Sequence, residues 1–174
     1  MFNRKLFIAP MLASALLSPL MISSSAFAAS TSMTLTVTGG GLSISAPATI
    51  AFGSVTAGTT ATMAMGSVTV TDLRGVGAGG VWDTSAIATD LTKVDLSSTI
   101  VASAIGYAAG TFSHSGTVTL AKTDVTDLTT AVTVVSATAI TGGNSATWTP
   151  TMTVVIPIGT PNGAYSGSVT QSVA

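Results

Sequence analysis

Short runs in which apolar residues alternate with threonine or serine, each ended by glycine or proline, constrain this chain more than any other feature. Residues 34–37 (Thr-Leu-Thr-Val), 42–46 (Leu-Ser-Ile-Ser-Ala) and 68–71 (Val-Thr-Val-Thr) are examples. A period of two puts every apolar side chain of a strand on one face and every hydroxyl on the other. Such strands bury one face and wet the other, which antiparallel sheets allow. No helical period of useful length follows residue 28.

Further strands are expected at residues 49–52, 60–70, 99–107, 117–120, 131–140, 147–149, 152–156 and 165–173. The breakers between them include Gly39 to Gly41, Pro47, Gly53, Gly142, Gly143 and Pro150, with an obvious turn at residues 157–163. Residues 83–98 are the least patterned, and loops or one short helical turn are expected there. Residues 110–116, which carry the single histidine, His114, are expected to turn. Roughly nine or ten short strands at this spacing imply an all-β fold, a single antiparallel β-sandwich.

The first residues are of another kind. Arg4 and Lys5 precede a mostly apolar run, residues 6–22, broken by Pro10 and Pro19, and Ala26 and Ala28 form an A-x-A cleavage site. A membrane span needs ~20 consecutive apolar residues, so a cleaved signal peptide at residues 1–28 is expected, leaving one domain at 29–174. That makes the protein secreted, held at the cell surface or cell wall, with no membrane anchor after cleavage.

Residues 29–174 hold three cations (Arg74, Lys93, Lys122) against six aspartates and no glutamate, a net charge of −3. Nucleic-acid binding needs clustered Lys and Arg to neutralise phosphates, so nucleic acid is not an expected partner. There is no cysteine, hence no disulfide, and a core of this size must hold the fold alone. Serine and threonine make up about a third of these residues. Sheets usually guard their edges with charge, and this chain has little, so its edges are covered or meant to associate.

The densest stretch runs from Val68 to Trp82. A strand leads into Asp72-Leu-Arg74-Gly75, then Gly77, Gly79 and Gly80, and then Trp82, one of two tryptophans. Glycine accepts a positive φ without steric cost, so a sharp turn is expected, braced by Asp72 and Arg74 as an exposed ion bridge of little energy. The glycine run superficially resembles a phosphate cradle, but no helix follows it. A near-echo, Gly142-Gly-Asn-Ser-Ala-Thr-Trp148, lies downstream.

No catalytic, cofactor or metal site is expected. His114 has no acid or base close in sequence to form a triad, and one histidine without cysteine does not make a zinc ligand set. Calcium needs six to eight oxygens, and Asp83, Asp90, Asp95, Asp124 and Asp127 show no recognised calcium-loop spacing.

The Val68-to-Trp82 stretch resembles the first signature of the WxL-domain proteins of Gram-positive bacterial surfaces, a strand and an Asp-x-Arg-Gly turn ahead of a Gly-Trp. Gly41-Leu-Ser-Ile-Ser-Ala-Pro47, Phe52-Gly53, Trp148, residues 154–157 and Gly163-Ala-Tyr165 are also similar, over most of residues 41–174 and in the family's order. Two features depart. Trp82-Asp-Thr84 lacks the leucine two residues on, and Gln171-Ser-Val173 stands where the second Trp-x-Leu belongs. The resemblance implies a non-enzymatic, exported β-sandwich that attaches noncovalently to peptidoglycan or another cell-wall polymer. Trp82, Trp148 and Tyr165 are then the candidate wall or partner contacts. The alternative is a self-assembling filament or layer subunit. Its donor strand is residues 31–38, with Met33, Leu35 and Val37 on one face and Gly39 to Gly41 as a hinge.

Overall fold

The computed structural model describes residues 32–174. The expected signal peptide and Thr31, the first residue of the expected donor strand, lie outside the described residues.

Twelve strands follow in chain order: β1 (Leu42–Ser45), β2 (Thr60–Ala64), β3 (Val68–Asp72), β4 (Gly80–Ala88), β5 (Leu91–Lys93), β6 (Thr99–Ile100), β7 (Ile105–Ala108), β8 (Phe112–Lys122), β9 (Val132–Trp148), β10 (Thr151–Val155), β11 (Tyr165–Ser166) and β12 (Val169–Val173). A single 3-10 turn, Ala102–Ala104, joins β6 to β7. The fold of the described residues is all-β, and every ladder is antiparallel.

The strands divide among three sheets. A six-stranded sheet is built on β9, with smaller sheets β2-β10-β7 and β11-β5-β6. β9 is 17 residues long. Trp148 at its end pairs with Val68 of β3 and Phe112 of β8, and Ala137 pairs with Trp82 of β4 and Leu120 of β8. One side of β9 therefore carries β8, while the other carries β3 and β4 in succession. β1 adds to β3, and β12 adds to β4.

The core contains Val68, Val70, Trp82, Ile105, Tyr107, Leu128, Val134, Ile140, Trp148 and Met152, each at most 2 % exposed. β3 shows how the pattern becomes packing. Val68, Val70 and Asp72 face inward, and Thr69 and Thr71 are half-buried between them.

Several expectations are corrected. Residues 83–98 are not loops throughout, because β4 runs to Ala88 with Trp82, Thr84, Ala86 and Ala88 inward. One threonine and two alanines at inward positions hide a period of two from any count of large apolar residues. Residues 60–70 are two strands in different sheets, separated at Gly66, whose φ is 95°. Gly142 and Gly143 do not end β9, which passes through them with Gly142 at φ 73°. His114 lies within β8 opposite Ala146, not in a turn. Register shifts between Ser115 and Thr119 let β8 follow the bulged β9.

Two expected strands have no ladder. In residues 49–52, Ile50 and Phe52 are half-buried while Thr49 and Ala51 are exposed, so the chain has a strand's alternation without a partner. Residues 32–38 are likewise outside any sheet, with Met33, Leu35 and Val37 at 94 %, 88 % and 84 % exposure.

Candidate functional site

The Asp-x-Arg-Gly turn closes β3. Asp72 is fully buried, while Arg74 is one-third exposed at its side chain. Arg74 donates from Nε to Asp72 Oδ1 at 2.9 Å and from Nη2 to Oδ2 at 3.0 Å, a two-pronged pair. The Arg74 main-chain N–H also donates to Oδ1 at 3.0 Å, and Asn144 Nδ2 donates to Oδ2 at 3.3 Å. Asn144 Oδ1 in turn accepts from Trp82 Nε1 at 3.2 Å, and Arg74 Nη2 reaches Val81 O at 2.9 Å. Gly75 supplies the positive φ, 67°, that turns the chain back.

The expected exposed bridge is thus a buried carboxylate with four donors, linking β3, the turn, β4 and β9. The Arg74 guanidinium holds the Asp72 carboxyl below its usual range against the opposing effect of burial, with help from the Arg74 N–H and Asn144. The same pairing raises the pKa of Arg74.

Trp148 anchors a second polar chain. Its Nε1 donates to Tyr107 Oη at 2.8 Å, Tyr107 Oη donates to Gln171 Oε1 at 2.9 Å, and Gln171 Nε2 lies 3.2 Å from Met65 Sδ. Burial pushes the Tyr107 phenol up to about 12, partly offset by the Trp148 N–H. Phe112 meets Trp148 edge-on, with centroids 6.1 Å apart and planes at 82°. Gln171, where the resemblance leads one to look for a tryptophan, instead ties the last strand to the core.

These networks decide what the two tryptophans offer. Trp82 is 1 % exposed and Trp148 2 %, and both indole N–H groups are used internally. Neither ring presents a face to an outside polymer in this structure. Of the three candidate contacts only Tyr165 reaches the surface. It is half-buried, and its Oη donates to Pro161 O at 3.0 Å.

Tyr165 lines a groove of about 840 Å³. One wall is residues 47–55 with Ala57, and the other is residues 160–169. Its floor includes Ala61, Ile105, Met152 and Val154 from the inner face of the β2-β10-β7 sheet, with Met65 just past β2. No charged residue lines it.

The aspartates are used locally. Asp90 accepts from Ala102 N at 2.8 Å, Asp124 from Ala109 N at 3.3 Å and Asp127 from Thr129 N at 2.8 Å. Asp95 accepts from the Ser97 N–H and from Lys93 Nζ, and its carboxyl is held well below the usual range by the Ser97 hydroxyl and Lys93. His114 is exposed on β8. Among the described residues no three metal-ligating side chains gather.

Reasoning from sequence missed Asn144, Tyr107, Gln171 and the groove. Asn144 left one signal, its place in the Gly-Gly-Asn echo ahead of Trp148. The register Asp72↔Asn144 then makes the two polar residues cross-strand neighbours. Compared with family models, with curated proteins and with solved structures, the chain shows no match to any of them.

Proposed function

We propose that this chain is a non-enzymatic, exported cell-surface protein, cleaved after residue 28 and folded as a β-sandwich. It associates by adding its terminal strand, residues 31–38, to another copy. The observation that carries this reading is the exposure of Met33, Leu35 and Val37 at alternate positions of a segment without a ladder. Full burial of such side chains is worth about 1.5–3 kcal/mol each. Main-chain hydrogen bonds give strand addition its affinity, and alternate side chains give it specificity.

Gly39 to Gly41 have a different part from the expected hinge. Gly40 N–H donates to Leu73 O and Leu73 N–H to Gly41 O, fixing this backbone beside the Asp-x-Arg-Gly turn. A Cβ on Gly39 would lie 2.6 Å from Arg74 O, and one on Gly40 2.6 Å from Leu73 Cβ. These glycines allow close approach, so the freely exposed segment ends near Thr38.

A second reading is attachment to peptidoglycan or another wall polymer, favoured by the WxL resemblance and by Tyr165 at the uncharged groove. Deleting residues 29–38 separates the two. Strand addition predicts that the deletion variant is a folded monomer by sedimentation and electron microscopy, while the intact protein forms filaments or larger assemblies. A wild type that stays monomeric at high concentration contradicts strand addition. Binding of both proteins to purified peptidoglycan then supports wall attachment.

A further inference from the structure

We propose that the groove between residues 47–57 and residues 160–169 receives the donor strand of a second copy. This rests on the strand-addition reading above and names its acceptor.

The first wall has the form of a strand awaiting a partner. Ile50 and Phe52 are half-buried against the core, while Thr49, Ala51 and Gly53 are exposed, and all five line the groove. Across residues 46–57 the one main-chain hydrogen bond among the described residues is that accepted by Thr56 O from Thr59 N–H, at 3.3 Å. The main chain of this run faces water, and an added strand would supply it with ladder partners. The opposite wall is also one-sided. Tyr165 and Ser166 pair with Lys93 and Thr92 in β5 and with no other strand.

The lining explains the preference for this place. Ile50, Phe52, Leu91, Tyr165 and Val169, each half-buried, offer apolar surface to alternate side chains of an incoming strand, above a floor that is already packed. Met33, Leu35 and Val37 repeat every second residue, about 6.6–6.8 Å apart, as one face of a strand requires. Neither the groove nor residues 31–38 carry charge, so nothing repels insertion.

The competing acceptor is the outer edge of β8, 11 residues long and paired only with β9. β8 exposes Ser113, His114, Ser115, Thr117, Thr119 and Lys122. It offers main-chain pairing but little apolar surface for Met33, Leu35 and Val37.

The test mixes two variants of the full protein. Leu35→Glu disables the donor and leaves the groove intact; Ile50→Glu disables the groove and leaves the donor intact. Each alone is expected to remain monomeric, with circular dichroism like wild type. A 1:1 mixture is expected to form a dimer that does not extend, since one working donor meets one working groove. Because no charge is involved, wild-type assembly is expected to be insensitive to salt.

If Ile50→Glu assembles as wild type does, or two folded monomeric variants fail to pair on mixing, the groove is overturned while strand addition stands. If Leu35→Glu assembles normally, or wild type is monomeric, strand addition itself fails. Should Ile50→Glu not fold, the chain's lack of cysteine allows a second route. Thr36→Cys and Ala51→Cys proteins, whose thiols lie on the outward face of donor and wall, are mixed under oxidising conditions, with Ser115→Cys on β8 as the comparison. A mixed disulfide formed with Ala51→Cys supports the groove, and one formed only with Ser115→Cys overturns it.

Discussion

Replacing Arg74 with alanine is expected to lower stability at neutral pH by about 1–3 kcal/mol, a sizeable share of the 5–15 kcal/mol that holds most domains. The change removes two of the four donors of the Asp72 carboxylate and, since the lost Arg74 side chain is itself one-third exposed, opens the carboxylate in part to water. The main-chain N–H of residue 74 and Asn144 Nδ2 still bond the carboxylate but do not replace the charge and two-pronged geometry of the guanidinium. Arg74→Lys is expected to recover only part of the loss, since an ammonium does not reproduce the two-pronged geometry.

The effect has a pH signature. In the wild type the Asp72 carboxyl is held below its unfolded value of about 3.9. It therefore contributes stability above that pH and loses it as pH falls through the lower folded-state pKa. Without the Arg74 side chain the largest influence that lowers the carboxyl is gone and its pKa rises, so the stability lost is the part present only when Asp72 is charged. Urea unfolding from neutral pH to about pH 3 is expected to show the gap between the two proteins shrinking with acid. A gap that stays constant across this range contradicts the role given to the pair.

Trp82→Ala is expected to cost about 3–5 kcal/mol, because it empties a large buried site and leaves Asn144 Oδ1 without its donor. Trp82→Phe refills much of the volume and is expected to cost less. Thermal or urea unfolding measures both. The result also bears on wall attachment. A drop in peptidoglycan binding by Trp82→Ala is expected to follow the unfolded fraction and to vanish under conditions where the variant is folded. Binding lost by a variant that remains folded contradicts the placement of this ring as core.

How much was legible from sequence followed from which residues sit on the inward faces. β1, β10 and β12 announce themselves because Leu42, Ile44, Met152, Val154, Val169 and Val173 mark alternate positions. β4 does not, because its inward residues after Trp82 are Thr84, Ala86 and Ala88. Local signals also overstated breaks. Glycine at 142 and 143 marks a bulge in β9, where long ladders on both sides override local preference.

The Asp-x-Arg-Gly turn was visible as a motif, but its depth was not. Burial of Asp72 depends on Asn144, 72 residues away, and on Trp82 covering the same end of the sheet. The groove was invisible for a similar reason, since its walls come from segments more than 100 residues apart. The alternation of residues 34–37 led to the expectation of a strand, and in the structure residues 32–38 belong to no ladder.

Hydrogen exchange across residues 32–38, followed as a function of protein concentration, tests the central claim most directly. Strand addition predicts fast exchange in the dilute monomer and slow exchange, in an alternating pattern, as assemblies form. Slow exchange already present in a dilute monomer, or fast exchange persisting in the assembled protein, contradicts it.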